Sequence, residues 1–517
     1  MMTRALLCCL LLALPALAAD QTPVEISADG HERVLVTPSA TDGQVLTRDD
    51  AVPYGDQPDW QNTLRRQVGG LQVADMNGDG HLDVIVGCYI SNSYPPYTDW
   101  ENLIYYNTGS ALEADPSWVS ADEVSTGDVQ VGLVNDDPYP DVFAANGGGL
   151  SYPSVVYYGG PDGPDPTPDW QSAEPDGAWN NYGLLVDIDL DDDLDLITAN
   201  QGASQYDPVR PLFMFLNDGT GLVATPAWQS AEASSQGFLD AADWDGDGYP
   251  EIAVSKWSGY ESGIYDNRDG DLQTTPIWTT GDTDNDKGVA FADVDNNSWQ
   301  DLALGHDPTQ VWLQGDGIMN MAWESQAGYH GHSDLRFCDV DGDGDPDLAE
   351  CHFSDGKVHI YLNRNGVLDA EPSWTYDSPS VGTAIAFGDI NGDLRPDLVV
   401  GNSGEPSVKV FYADAGATAA EQPATALRFT GAAPNPFNPR TEIGIEVPTT
   451  TAVTLSVFDA SGRLVRTLVD GRVLDAGPHA VTWDGDDNAG QRVPSGVYLC
   501  RLFAGRETAG LRVVLAK

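Results

Sequence analysis

From residue 66 to residue 412 the chain alternates short apolar runs with turns rich in Asp, Asn and Gly. The stretch VADMNGDGHLDVIVG at residues 73–87 sets the pattern: an acidic loop between two β-rich runs. Short runs of this kind bounded by turn residues predict strands, so the stretch reads as strand, loop, strand. Within the loop, side-chain oxygens fall at Asp75, Asn77, Asp79 and Asp83, and Gly78 and Gly80 permit left-handed backbone. Alternate positions on a tight loop converge on one point, which is what a hard, oxygen-seeking cation requires. An EF-hand would carry a Glu at its twelfth position, where this chain has Val86. A solvated Asp/Gly turn with no ion is the competing reading of any single copy.

The copies shift the balance toward an ion-binding loop. The loop recurs with its first position at residues 75, 133, 187, 243, 293, 339 and 389. Trp60, Trp118, Trp170, Trp228, Trp278, Trp323 and Trp374 lie 15 to 17 residues upstream of the loops, mostly as Pro-x-Trp. A third apolar run follows each loop, such as LIYYN at 103–107 and HIYLN at 359–363. Each unit of about 50 residues therefore holds four short strands and no helix. Four-stranded units repeated radially form a β-propeller, and the expectation is an all-β protein with a seven-bladed propeller. A Trp segment precedes the first loop and none follows the last. The strand around Trp60 is thus expected to complete blade seven.

These units resemble the FG-GAP/VCBS repeats of integrin α-subunit propellers and of many bacterial surface proteins. The resemblance implies calcium loops that brace the blades from one face. About six Ca2+ sites are expected, on Asp75, Asn77, Asp79 and Asp83; Asp187, Asp189, Asp191 and Asp195; Asp243, Asp245, Asp247 and Glu251; Asp293, Asp295, Asn297 and Asp301; Asp339, Asp341, Asp343 and Asp347; and Asp389, Asn391, Asp393 and Asp397. The second copy, with Leu133 first and Pro138 within the loop, is expected to be empty. The loop at 187 replaces both glycines with Leu190 and Asp192, which puts its geometry in question.

The opening MMTRALLCCLLLALPALAAD reads as a secretory signal over residues 1–18, followed by an extension over 19–52. No later segment is long enough for a transmembrane helix. The propeller is expected over 53–412 and a small-residue linker over 413–427. Residues 428–517 alternate with turn punctuation in the manner of a small Ig-like β-sandwich. Asn435-Pro436-Phe437-Asn438-Pro439, Trp483-Asp484-Gly485, Ser495-Gly496-Val497-Tyr498 and Lys517 resemble the C-terminal sorting domain of type IX secretion cargo. That resemblance implies outer-membrane secretion machinery as a partner, and a secreted or bacterial cell-surface location. A plain Ig-like spacer is the alternative. Beyond the leader, Cys88, Cys338, Cys351 and Cys500 read as buried free thiols.

With 24 basic against 80 acidic side chains the net charge is −56, more than six calcium ions would offset. Such a surface excludes a nucleic-acid partner, which needs a basic face. At the end of each hairpin opposite its loop stand Asn146, Asn200, Lys256, His306, His352 and Asn402, joined by His330 and His332 from the strand starts. These are expected to face an extracellular glycan or protein ligand, or simply to end their strands in water. His330, His332 and His352 could also hold a transition metal. No G-x-S-x-G, H-E-x-x-H or P-loop pattern is present. The expected function is a non-enzymatic binding or adhesion module. A polysaccharide lyase or hydrolase using His306, His352 or Lys256 as base is the alternative.

Overall fold

The computed structural model describes residues 24–26, 32–34 and 51–515, apart from 90–99, 148–151, 175–179, 201–208, 327–331, 414–427 and shorter breaks. The chain divides into two compact units, Met1–Arg48 and Asp49–Lys517. In the first, Val24–Ile26 pairs antiparallel with Glu32–Val34. The expected leader, and the expected linker beyond its first residue, lie outside the described residues. Among the described residues, no helix is long and apolar enough to cross a membrane.

The second unit holds seven four-stranded antiparallel blades followed by a sandwich of three and four strands. The inner strands of the blades are Arg66–Ala74, Thr126–Gly132, Asn180–Val186, Ser235–Ala242, Val289–Ala292, His332–Cys338 and Gly382–Gly388. Each is followed by the acidic loop, a second strand and a third strand, and an outer strand carrying the repeated Trp completes each blade. Second strands such as Asp83–Cys88 and Asp195–Asn200 are buried along their whole length. A strand packed on both faces carries apolar residues at consecutive positions, so residues 84–86 and 196–197 do not alternate.

The apolar side chains form seven clusters, one between each pair of neighbouring blades. The repeated Trp belongs to these interfaces. Each packs edge-on against an aromatic ring on the third strand of the next blade, from Trp60–Tyr105 around to Trp374–Phe411. Ring centroids in the seven pairs lie 5.1 to 6.2 Å apart. Such pairs contribute about 0.5–1.5 kcal/mol each beyond the area they bury.

The ring closes on the Trp60 strand. Trp60 pairs with Val410 and Gln61 with Lys409, making Trp60–Gln61 the outer strand of blade seven. Asn62 fixes this seam, its side-chain amide donating to the Tyr105 hydroxyl at 2.8 Å and the Ser407 hydroxyl at 2.9 Å. Ala413, expected to begin the linker, is buried against blade seven and donates its N–H to Asp397 at 2.8 Å.

Around the axis the inner strands approach so closely that a Cβ on Gly127 would lie 2.4 Å from the Asn181 carbonyl. Asp128, Asp240 and Asp334 each accept an N–H from the next blade, of Gly183, Phe291 and Ile385. Burial pushes Asp128 and Asp334 up to about 6, and the Arg336 guanidinium, 3.0 Å from Asp334, opposes that shift.

In the C-terminal sandwich, Arg428–Ala433, Thr441–Val447 and Gly477–Trp483 form one sheet. Thr451–Asp459, Leu464–Leu474, Gly496–Ala504 and Glu507–Leu515 form the other. Trp483 is fully buried, 5.2 Å from Phe437 and 5.1 Å from Tyr498 between ring centroids.

Candidate metal loops

In every blade the ninth-position acid of the loop is buried and works as a latch. One oxygen of Asp83, Asp141, Asp195, Glu251, Asp301, Asp347 and Asp397 accepts the N–H of loop position two at 2.7 to 3.1 Å. Its other oxygen accepts the N–H of the residue closing the third strand, at 2.6 to 3.4 Å. Position two is itself apolar and buried, as Met76, Val134, Ile188, Trp244, Val294, Val340 and Ile390. Each loop is thus pinned to the core and tied to its own third strand.

A further bond reaches the neighbouring blade. The side-chain amides of Asn107, Asn217, Asn267, Gln314 and Asn363 end their third runs and donate to the position-two carbonyl of the preceding blade, at 2.6 to 3.2 Å. Anything that stiffens one loop is therefore coupled to the next blade. The YN and LN endings of the apolar runs were the visible signal of this clamp, and ligand spacing alone does not disclose it.

Four loops bring carboxylates together as triads from positions one, three and nine: Asp187, Asp189 and Asp195; Asp243, Asp245 and Glu251; Asp293, Asp295 and Asp301; and Asp339, Asp341 and Asp347. In each triad one oxygen per residue lies within 4.8 Å of the others, so these clusters could hold metal ions. The fifth-position groups Asp191, Asp247, Asn297 and Asp343 stand outside the triads. Each accepts the N–H of position seven through Oδ1, at 2.8 to 3.1 Å. The loops at 75 and 389 carry Asn77 and Asn391 third, and both accept the position-five N–H through Oδ1, as Asp245 and Asp341 do. Asp75, Asp79, Asp389 and Asp393 complete the same turn: Asp79 Oδ1 accepts from His81 N, and Asp393 Oδ1 from Arg395 N.

The two irregular copies separate. In the loop at 187, Leu190 and Asp192 adopt φ of 58° and 76°, where Gly78 and Gly80 have 73° and 89°. The backbone put in question is the usual one: Leu190 and Asp192 take the left-handed conformation that glycine takes in blades one, four and six, as Asn296 (φ 59°) and Ser298 (φ 73°) do in blade five. The loop at 133 keeps the Asp141 latch, but Leu133 is exposed where the others have a carboxylate.

Burial pushes the ninth-position acids up, Asp83, Asp195, Glu251 and Asp347 to about 7 and Asp141, Asp301 and Asp397 to about 6. Neighbouring loop carboxylates add to the rise, while the backbone N–H bonds oppose it. A cation would relieve both causes at once.

The residues expected on a ligand-binding face are placed differently. Asn146, Asn200, Lys256, His306, His352 and Asn402 are all buried. Asn146 donates to the Pro153 carbonyl, Lys256 pairs with Glu232 at 2.9 Å, and His306 with Asp286 at 2.7 Å. Asn402 donates to Ser378 and accepts from Lys409. His330 lies outside the described residues, and His332 pairs through its backbone with His352. The four cysteines are free, with Cys88, Cys351 and Cys500 buried and Cys338 partly so.

Residues 339–400, spanning the loops of blades six and seven, match the FG-GAP-like repeat, and residues 435–506 match the FlgD Ig-like domain. No curated protein matches significantly. Among solved structures, BBS1N in complex with ARL6DN aligns at 13% identity over 71% of this chain and 99% of that one, with a TM-score of 0.48. The computationally designed Ika8 protein aligns at 11% over 69% and 99%, with a TM-score of 0.42. PorZ, an essential bacterial surface component of the type-IX secretion system of Porphyromonas gingivalis, aligns at 12% over 96% of this chain and 62% of that one, with a TM-score of 0.41. At these identities the likeness concerns architecture alone.

Proposed function

We propose that the protein is a secreted or cell-surface binding module whose propeller is braced by calcium. The observation that carries this reading is the set of four carboxylate triads built at equivalent places in successive blades. All their donors are oxygens, the preference of calcium rather than of a transition metal. A cation there would hold positions one, three and nine together, and the amide clamps would pass the restraint to the preceding blade. Extracellular calcium would then be a condition of rigidity, and a rigid ring presents its exposed loops to a protein or glycan partner.

The deciding experiment is a thermal melt of the full chain with millimolar calcium and with excess chelator. A calcium-dependent rise of many degrees supports the reading. Coincident curves reduce the loops to acidic turns and remove it.

Export through the C-terminal domain is a second part of the proposal, supported by the match to an Ig-like domain. Phe437, Trp483 and Tyr498 pack on one another in the core, so the motifs that suggest sorting also serve folding. A reporter fused to residues 428–517 and expressed in a host with type IX secretion tests it. Retention of the folded reporter inside the cell would leave the domain a spacer.

A further inference from the structure

We propose a second metal site of different chemistry between blades five and six, where Glu350, His352 and His359 bind a divalent cation of the zinc class. Glu350 and His352 alternate along Asp347–His352 and so share a face. His359 lies directly across from Glu350 in the register with Lys357–Tyr361. The face is turned toward blade five, from which Thr309 donates to Glu350 Oε2.

The donor atoms already converge. His352 Nε2 lies 3.1 Å and His359 Nδ1 3.3 Å from Glu350 Oε1, and one ligand atom from each residue lies within 4.8 Å of the other two. Tetrahedral zinc with bonds of about 2.0–2.2 Å sets its ligands roughly 3.3–3.5 Å apart, so small adjustments seat the ion. The other nitrogen of His352, Nδ1, is 3.4 Å from Asp355 Oδ1, giving the carboxylate–imidazole–metal order that orients zinc-binding histidines. The Tyr361 hydroxyl donates to Glu350 Oε1 at 2.8 Å and so helps to fix that carboxylate.

The repeat supplies an independent argument. At the place of Glu350 the other blades have Val86, Ala144, Thr198, Val254, Leu304 and Val400. One blade alone buries a carboxylate there and brings two imidazoles to it, all three nearly inaccessible. Two imidazole nitrogens set the site apart from the all-oxygen loops and suit an ion of the zinc class. The inference stands whether or not the loops take calcium.

Titration of the calcium-saturated full chain with Co2+, followed by its visible absorption, tests the site, with Zn2+ as competitor in calorimetry. The expected result is one tight Co2+ per chain, displaced by Zn2+ and not by more calcium. His359→Gln and Glu350→Gln should each weaken it at least tenfold, while His479→Gln in the C-terminal domain leaves it unchanged. Absence of stoichiometric Co2+ binding to the wild type overturns the proposal. So does a folded His359→Gln or Glu350→Gln protein that binds Co2+ with wild-type affinity. If one variant does not fold, the wild-type titration and the other variant decide.

Discussion

The loops of blades two and three break the repeat in opposite ways. Blade two has lost the first carboxylate to Leu133 but keeps Asp141 bonded to the N–H groups of Val134 and Gly159. Blade three keeps its acidic triad but places Leu190 and Asp192 where glycine is the easy choice. Both loops nevertheless end in the same latch. The buried ninth carboxylate therefore organises the hairpin whether or not metal ligands surround it, and a triad forms only where the first and third positions are carboxylates as well. Building the loop needs the ninth acid alone, whereas a triad needs that same acid together with the first and third.

The largest expected effect tests the latch. Asp141→Ala and Asp195→Ala each strand two buried N–H donors that now reach a charged acceptor, and each bond of that kind is worth about 1.5–3 kcal/mol. In chelator both variants should lose on the order of 3 kcal/mol in denaturant melts. A benign Asp141→Ala would mean that the latch matters only with metal, and the comparison would fail. With calcium restored, Asp195→Ala should also lose the gain from its own loop, while Asp141→Ala should not.

Next comes loading. Calcium at a hundred times its dissociation constant stabilises a filled site by about 2.7 kcal/mol. Asp187→Asn should subtract one such increment from the calcium-dependent shift, and Leu133→Asp should add part of one. An unchanged shift for Asp187→Asn would exclude blade three from the metal-bearing set.

Repetition explains what could be read in advance. Ligand acids, Trp and apolar runs recur in register because seven equivalent places impose the same demands, so the blade count and the Trp60 closure followed from spacing. Burial at the blade ends did not follow. Hairpin geometry locates Asn146, Lys256 and Asn402 at the end away from the loops. It does not reveal that they are buried and bonded to Pro153, Glu232 and Ser378. The Asn107-type clamps link units 69 to 283 residues apart through one side-chain bond each, and no local pattern marks the partner. Glu350 and His359 escaped notice because their meeting depends on cross-strand register.

A pH series sharpens the same contrast. Burial holds Asp141 near 6 and Asp195 near 7, above the unfolded carboxylate value of about 4. For acids raised in this way the folded state retains protons the unfolded state has released. Their contribution is complete below about pH 4 and is lost as the pH climbs through 6 to 7. Metal-depleted protein should therefore melt higher at pH 5 than at pH 8. Calcium favours the ionised triads, so its stabilising shift should grow from pH 5 to pH 8. A calcium shift independent of pH would show that the ninth carboxylates do not touch the ion.

The smallest effect isolates backbone strain. Leu190 sits at φ 58° with its side chain exposed, and a left-handed L-residue costs about 1–2 kcal/mol. Glycine removes that cost but loses roughly 0.5–1 kcal/mol to its freer unfolded chain. Leu190→Gly should therefore stabilise by about 0.5–1 kcal/mol, read as a rise in denaturation midpoint. Gly342, at φ 77° in blade six with open space where a Cβ would stand, offers the mirror experiment. Gly342→Ala should destabilise by a similar amount, with no clash to confuse the reading. Opposite signs of similar size would establish that the loops of blades three and six share one backbone and differ only in how easily their residues adopt it. A destabilised Leu190→Gly would instead show that the exposed leucine contributes packing that outweighs its strain.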